Sequence, residues 1–221
     1  MEIIKTENLT KNYIKQNKNI PVLYGISLTV QNGDFLSIVG PSGSGKSTLM
    51  NILGFLDPPS GGEYRFCGEI SKKLGERKLT DIRRKNIGFI FQSFNLIPSL
   101  NMLENVELPM IYKGVSKKER REKAKAAIEK VGLYERMTHY PSELSGGQCQ
   151  RVAIARAIAD APQIILADEP TGNLDVASGR QITDILFKLN GEGKTIILIT
   201  HDNLLAAKTP RKIEIRDGKI V

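Results

Sequence analysis

The amino-acid sequence predicts an α/β fold built on a mostly parallel sheet, and two observations carry that prediction. Three short apolar runs rich in isoleucine, residues 86–91, 163–168 and 195–200, have the composition of strands that are buried on both faces. Helical segments separate these runs along the chain, as the crossover connections of parallel strands require. We therefore expect a sheet that is covered by helices on both sides.

A further pair of strands is predicted nearer the start of the chain. Residues 26–30 alternate between apolar and polar side chains, which indicates a strand with one buried face. Asn32-Gly33 then predicts a two-residue hairpin turn, because both central positions of a type I′ turn need positive φ. The apolar run at residues 34–39 is the strand that should follow this turn.

Shorter elements complete the α/β pattern. Residues 47–53 have a helical pattern that ends at Gly54, and the sequence PPSGG after it predicts a turn. Near the other end of the sequence, Asp217-Gly218 separates residues 212–216 from residues 219–221. This arrangement predicts a second small hairpin.

The stretch from about residue 95 to about residue 145 is mostly helical and has no buried strand pattern. We expect it to form a helical subdomain inserted into a single domain, residues 1–221. The densest basic run, Ser116–Lys130, interleaves cations with glutamates, which favours a solvated helix face. The net charge of +8 suggests an anionic partner, but charge alone does not choose between a nucleotide, a nucleic acid and a membrane surface.

Composition excludes several classes of protein. The 221 residues include 40% apolar side chains and 20 glycines, which is typical of globular proteins and excludes collagen-like, disulfide-scaffold and wholly disordered chains. The sequence shows no signal peptide and no apolar run of membrane-spanning length, so we expect a cytoplasmic protein. Cys67 and Cys149 stand far apart without metal-ligand spacing, and we expect both to be reduced thiols.

A phosphate-binding pattern, G-x-x-x-x-G-K-S, follows the strand predicted at residues 34–39 and precedes a predicted helix. Its glycines let backbone N–H groups face phosphate oxygens, and the helix N-terminus adds its positive dipole end. Lys46 would reach the β- and γ-phosphates, and Ser47 would offer its hydroxyl to Mg²⁺. The residues predicted to bind the nucleotide here are Gly40, Pro41, Ser42, Gly43, Ser44, Gly45, Lys46, Ser47 and Thr48.

Two adjacent carboxylates supply the second half of a nucleoside triphosphatase site. Asp168 ends a predicted strand, which places it at the sheet edge where ligands of α/β proteins bind, and it would hold Mg²⁺. Glu169 points elsewhere, and it would polarise the water that attacks the γ-phosphate. The residues themselves therefore predict hydrolysis of a nucleoside triphosphate.

The sequence ELSGGQ predicts a second helix start that can receive an anion. Ser145 is a plausible N-cap, and Gly146 and Gly147 allow close backbone approach. The helix that follows has an apolar stripe through Val152, Ala155 and Ile158. This helix start lies about a hundred residues after the phosphate-binding loop. A phosphate group bound within one subunit does not obviously need both of these helix starts.

LSGGQ lies between the phosphate-binding pattern and the two adjacent carboxylates Asp168 and Glu169. This arrangement strongly resembles the ATP-binding cassette family, and the resemblance covers essentially the whole chain. It implies an α/β P-loop core, an antiparallel β subdomain and an inserted helical subdomain. It also implies ATP and Mg²⁺ as cofactors and a head-to-tail pair of cassettes, expected here as a homodimer, although a related second chain would also serve. Four residues would complete the partner's ATP site: Ser145, Gly146, Gly147 and Gln148.

Four more positions match the family. Tyr13 resembles the aromatic residue that stacks on adenine, and Gln92 resembles the Q-loop glutamine that contacts Mg²⁺ or the attacking water and signals to the transport partner. Asp175 is similar to the D-loop aspartate that crosses the dimer interface, and His201 to the switch histidine near the γ-phosphate. The resemblance thus implies catalytic roles for Lys46, Gln92, Glu169 and His201.

The sequence departs from the family pattern at one position, directly after LSGGQ, which is the signature sequence of the family. Glutamine or lysine is common directly after LSGGQ, and here Cys149 stands instead. We expect a small residue tolerated in the helix rather than a reactive thiol near the interface.

Two kinds of work could use this ATPase: driving a membrane transporter, or acting on nucleic acid or ribosomes. Only about a hundred residues, without sustained heptads, separate the phosphate-binding loop from LSGGQ, and the chain has one cassette. We therefore expect a transporter subunit that lies at the inner face of the cell membrane, with integral membrane permease subunits and no nucleic acid as partners. Residues 95–124 and DEPTGNLD resemble the lipoprotein-release, macrolide-efflux and antimicrobial-peptide-resistance group, with an amino-acid importer ATPase as the alternative.

Overall fold

In the computed structural model, residues 1–16 and 18–221 are described, and the chain forms two compact units. The first unit comprises Met1–Arg83 and Gly193–Val221, and the second comprises Arg84–Glu192. The strands are β1 (Glu2–Lys15), β2 (Lys18–Gln31), β3 (Phe35–Val39), β4 (Gly61–Phe66), β5 (Glu69–Ile70), β6 (Ile87–Ile90), β7 (Ile164–Asp168), β8 (Thr195–Ile199), β9 (Arg211–Arg216) and β10 (Lys219–Ile220). The α-helices are α1 (Lys46–Leu53), α2 (Glu76–Asn86), α3 (Met102–Tyr112), α4 (Lys117–Lys130), α5 (Gly146–Ile158), α6 (Val176–Gly191) and α7 (Asn203–Lys208).

The first unit contains a four-stranded antiparallel sheet with the order β2-β1-β4-β5. This sheet confirms the antiparallel β subdomain and the strand predicted at residues 26–30. No strand was predicted at β1, and the reason is visible in its pairing with β2. The register shifts at several points, for example between Thr6 and Leu9. Each shift interrupts the two-residue alternation that identifies a strand in a sequence.

Parallel pairing confirms the predicted α/β core. In the first unit, β3 pairs in parallel with β8 on one side and with β9 on the other. In the second unit, β6 pairs in parallel with β7. All five residues of β3 and all five of β8 are buried, as expected for strands that are covered on both faces.

The hairpin predicted at Asn32-Gly33 is wrong, because β2 and β3 belong to different sheets. Gly33 has a φ of 86°, whereas Asn32 does not lie in the left-handed region, so the type I′ geometry is absent. The Asn32 N–H instead donates to the Met1 carbonyl, and the Gly33 N–H donates to the Thr195 hydroxyl. The strand after the turn, β3, is buried on both faces and pairs in parallel with β8 and β9. Both of its edges are therefore occupied, and none is left for antiparallel pairing with β2.

The hairpin predicted at Asp217-Gly218 is confirmed. Both residues have positive φ, 48° and 73°, and Lys219 of β10 pairs with Arg216 of β9. This turn docks on the phosphate-binding loop, because the Gly218 N–H donates to the Ser44 carbonyl at 3.1 Å. The hairpin therefore braces a loop that lies far away in the sequence.

Helices α3 and α4 occupy much of the stretch predicted to be helical, although the limits of that subdomain stay a prediction. The basic run forms α4, whose N-cap is Ser116 and whose buried side chains are Ala124, Ala127 and Ile128. Its lysine and arginine side chains lie mostly on the exposed face, as predicted. Within residues 1–16 and 18–221, no helix is both long and apolar enough to cross a membrane.

We expect Gly218→Ala to destabilise the protein more than Gly68→Ala does. Both glycines are the second residue of a type I′ turn with positive φ, so each alanine costs about 1–2 kcal/mol of backbone strain. A Cβ at Gly218 would also lie 2.2 Å from the Val22 carbonyl oxygen, whereas none of the surrounding atoms lies within 4 Å of one at Gly68. Overpacking adds about 1–3 kcal/mol at Gly218 alone. Urea denaturation measures both, and equal losses would contradict the docked hairpin.

Candidate functional site

The phosphate-binding loop lies in the first unit between β3 and α1. Gly45, in the left-handed region at φ 101°, is the N-cap of α1, and none of the side chains caps this helix start. The first turn of α1 contains no acidic residue. The N-terminus of α1 therefore has the positive character that an anion needs.

Lys46 and Ser44 show that a phosphate group fits this loop. The Lys46 ammonium donates to the Gly40 carbonyl at 2.9 Å and to the Pro41 carbonyl at 2.8 Å, so its charge lies inside the loop. The buried Ser44 hydroxyl has no hydrogen-bond partner in the part of the chain that the structure describes. A buried hydroxyl without a partner is costly, and a phosphate oxygen would supply one. The loop thus has both a fixed cation and an unsatisfied polar atom.

Tyr13 lies beside this loop. Its hydroxyl donates to Asp57 at 2.6 Å and is also hydrogen-bonded to Thr48, the last of the loop residues predicted to bind nucleotide. The Lys11 ammonium lies 4.8 Å from the ring centroid. Partial burial, and then the hydrogen bond to Asp57, raises the pKa of Tyr13, so the phenol stays protonated. The ring is 38% exposed and is held in place next to the loop.

His201 follows β8 in a turn with a fixed backbone. The preceding Thr200 is buried, and its hydroxyl accepts a hydrogen bond from the Asp202 N–H at 3.0 Å. Asp202 in turn caps α7 by accepting from the N–H groups of Leu204 and Leu205. The exposed His201 side chain is therefore presented from a strand-to-helix turn that is held on both sides.

In the second unit, Asp168 ends β7 and Glu169 follows it directly. Glu169 has a φ of 46°, in the left-handed region that a non-glycine residue rarely adopts. Such a backbone costs about 1–3 kcal/mol and is concentrated at functional sites. The Glu169 carbonyl accepts a hydrogen bond from the Gly172 N–H at 3.0 Å, which closes a tight turn. The backbone therefore turns sharply directly after Asp168.

Gln92 follows β6 in the same unit. Its Nε2 donates to the Asn173 side-chain oxygen at 3.1 Å, and the Asn173 amide returns a bond to the Gln92 carbonyl at 3.4 Å. Shortly after Gln92, the backbone of Phe94 and Asn95 lies in the left-handed region, with φ of 59° and 51°. Arg156 of α5 donates to their two carbonyls. Sequence reasoning missed the roles of Asn173, which lies within DEPTGNLD, and of Arg156, because a sequence does not show which distant groups such side chains contact.

Ser145 caps α5 as predicted. Its hydroxyl accepts from the Gln148 N–H at 3.3 Å, and the Gln148 side chain accepts from the Ser145 N–H at 2.8 Å. Together these bonds form a capping box, so part of the predicted nucleotide-binding set also stabilises the helix start. Ser145 and Gly146 are exposed.

Asp175 lies next to the signature residues. It is the N-cap of α6 and accepts a hydrogen bond from the Ser178 N–H at 2.9 Å. Hydrogen bonds from Ser178 lower the pKa of Asp175, so its carboxylate stays charged. Ser178 also packs against Gly147, where a Cβ would lie 2.5 Å from the Ser178 hydroxyl. One serine therefore brings the predicted signature and interface residues together.

Cys149 is buried in α5, and its thiol lies 3.6 Å from the Pro141 carbonyl. Burial raises the pKa of this thiol, which opposes formation of a reactive thiolate. The structure thus agrees with a small packed residue at this position.

The metal ligands predicted from sequence lie in both units, Ser47 in the first and Gln92 and Asp168 in the second. Within residues 1–16 and 18–221, no group of three or more His, Cys, Asp or Glu side chains is placed to hold a metal ion. Mg²⁺ does not need such a group, because it keeps several waters and binds through one or two carboxylates together with substrate phosphates. The donor types of the predicted set therefore suit Mg²⁺.

Comparisons with known proteins agree with these motifs. A family model described as ABC transporter matches residues 23–172. The uncharacterized ABC transporter ATP-binding protein YknY of Bacillus subtilis is 52% identical over 219 residues, which are 99% of this chain and 95% of that protein. The macrolide export ATP-binding/permease protein MacB of Hyphomonas neptunium is 49% identical over 99% of this chain, but only 34% of that protein is covered.

A solved structure gives the same result for the fold. It is the dimeric post-hydrolysis state of the ATP-binding cassette MJ0796 bound to ADP and Pi. The TM-score is 0.90 at 47% sequence identity, and the alignment covers 99% of this chain and 96% of that chain. The mixed α/β architecture predicted from the sequence is therefore confirmed.

We expect Lys46→Ala to lower the affinity for ATP. Hydrogen bonds to a charged group are worth about 1.5–3 kcal/mol, so the loss corresponds to roughly ten- to hundredfold weaker binding. Isothermal titration calorimetry measures the affinity directly. Lys212→Ala removes the same charge from an exposed position of the same unit and should change the affinity by less than about twofold. Equal effects of both variants would mean that net charge, not the Lys46 contact, binds the nucleotide.

Proposed function

The chain belongs to the ABC transporter family as an ATP-binding and ATP-hydrolysing subunit, and we propose that two copies pair head to tail around two ATP molecules. The observation that carries this proposal is that each chain has two helix starts suited to phosphate, the first without a side-chain cap and the second exposed. One is the N-terminus of α1 behind Gly45, and the other is the N-terminus of α5 behind Ser145. A second copy gives each triphosphate a helix start on both sides.

ATP binding follows from the contacts in the first unit. Residues Gly40 to Thr48 surround the phosphates, with Lys46 as the fixed cation and the Ser44 hydroxyl as a donor. Tyr13, held by Asp57, stacks on adenine. Ser47, Asp168 and Gln92 would hold Mg²⁺ through their side-chain oxygens, and the ion would neutralise negative charge that develops on the phosphates.

Hydrolysis is assigned to groups that orient water and stabilise charge. Glu169 accepts a proton from the attacking water, and its left-handed backbone fixes the direction of its carboxylate. His201, in the turn that follows β8, donates a hydrogen bond to the γ-phosphate. Lys46 and the helix start of the partner's signature residues stabilise the negative charge of the transition state.

Dimerisation is supported by the exposed side of the second unit. Ser145 and Gly146 are exposed at the start of α5, and Val176, directly after Asp175, is 75% exposed. The MJ0796 cassette, which is 47% identical, is described as dimeric. We propose a homodimer in which Asp175 and the signature residues Ser145, Gly146, Gly147 and Gln148 lie at the interface.

The transport role is proposed to be efflux or the handling of lipoproteins or peptides. The MacB relatives are named macrolide export ATP-binding/permease proteins, and this chain corresponds to about a third of their length. We propose that the permease is here a separate membrane protein, which docks on the helical subdomain beside Gln92 and holds the ATPase at the inner face of the cell membrane. These relatives do not favour an amino-acid importer or a nucleic-acid or ribosome partner.

We expect Glu169→Gln to bind ATP with little change in affinity but to hydrolyse it at least a hundredfold more slowly, on the order of what loss of a general base costs. Because hydrolysis no longer reopens the pair, the variant should elute as a dimer with ATP on size-exclusion chromatography. Glu122→Gln removes an exposed carboxylate from α4 and should hydrolyse ATP normally. Near-normal turnover of Glu169→Gln would remove Glu169 from this role.

The permease proposal is tested with the same variant in its native cell. Gentle solubilisation of membranes with ATP present should co-purify a permease with few membrane spans and a large external domain. A permease with many spans together with a solute-binding protein would contradict efflux and indicate import. Ribosomes or nucleic acid without a membrane protein would contradict the transport role.

A further inference from the structure

Gln150 is a wholly buried amide in the middle of α5. Its Nε2 donates a hydrogen bond to the Pro170 carbonyl at 2.8 Å. Its Oε1 is also buried and has no hydrogen-bond partner among residues 1–16 and 18–221. An unpartnered buried acceptor costs free energy that an apolar side chain of similar size would avoid. Packing alone therefore does not account for an amide at this position, and the contribution that remains is the donor to Pro170.

Pro170 is the residue directly after Glu169. Proline has no backbone N–H, so the carbonyl is its only main-chain hydrogen-bonding group, and Gln150 binds it. Another main-chain bond of this turn joins the Glu169 carbonyl to the Gly172 N–H. Both contacts help to hold a turn whose first residue has an unfavourable φ of 46°. Without Gln150, the contact to the Pro170 carbonyl is lost.

We propose that Gln150 is a positioning residue, whose buried amide ties the signature helix α5 to the turn that carries Glu169 and so fixes the direction of the Glu169 carboxylate. This inference rests on the proposed role of Glu169 in orienting the attacking water. Gln150 acts through the backbone and touches neither nucleotide nor water. Its loss therefore lowers the rate of hydrolysis and leaves ATP binding intact.

The first test replaces the amide by an apolar side chain of similar length. In the full chain, Gln150→Met should lower kcat by roughly tenfold, since a small displacement of a catalytic group is sufficient for such a loss, and should change KM for ATP by less than about twofold. Gln150→Leu is a second apolar replacement if the methionine variant does not fold. A kcat equal to that of the unaltered chain in a folded variant would overturn the proposal.

A matched control separates positioning from general loss of packing. Ile154→Val removes one methyl group from a wholly buried side chain of the same helix, four residues after Gln150. It should leave both kcat and KM unchanged. If Ile154→Val lowers kcat as much as Gln150→Met does, the effect belongs to the helix core and the proposal fails.

A double-mutant cycle with Glu169→Gln completes the test. A residue that acts only through Glu169 has nothing left to position in that background, so adding Gln150→Met should lower the residual rate by less than about twofold. An additive tenfold loss would overturn the proposal. Near-normal turnover of Glu169→Gln alone would instead overturn the proposed role of Glu169, which makes the two failures distinguishable.

Discussion

A loop that offers its backbone N–H groups to phosphate has to be held in place largely through its carbonyl groups. The phosphate-binding loop meets this constraint from two directions. The Lys46 ammonium binds the carbonyls of Gly40 and Pro41, and the Gly218 N–H binds the carbonyl of Ser44. The lysine that we propose to bind phosphate therefore also shapes the loop. A docked hairpin and a buried parallel strand supply the rest of the support.

The second unit holds its functional turns in the same way. Arg156 donates to the carbonyls of two successive left-handed residues beyond Gln92, and Gln150 donates to the carbonyl of Pro170 beyond Glu169. Both donors project from α5, the helix that begins behind Ser145. One rigid helix thus contacts the Q-loop segment and the turn of the proposed general base. Backbone that is unfavourable by itself persists because side chains of a regular helix fix it.

The elements that the sequence could predict are those whose signals are local. Apolar runs identified the parallel strands, and Asp217-Gly218 identified a true type I′ turn. The same type of dipeptide at Asn32-Gly33 gave a wrong hairpin, because tertiary pairing of the strands on either side decides the turn. β1 had no usable pattern, since its register shifts break the alternation. Gln150 and Arg156 could not be predicted, because a side chain that binds a distant carbonyl leaves no periodicity, and only the fold reveals the acceptor.

The docked hairpin also bears on the order in which the protein is completed during synthesis. The phosphate-binding loop leaves the ribosome well before the Gly218 amide that binds its Ser44 carbonyl, because more than 170 residues separate the two. At roughly 5–20 residues per second, translation leaves the loop without this brace for on the order of ten seconds. Contacts of such high sequence separation form late in folding. The phosphate-binding loop of the nascent chain therefore gains its contact with the Gly218 amide only after the intervening residues have been translated.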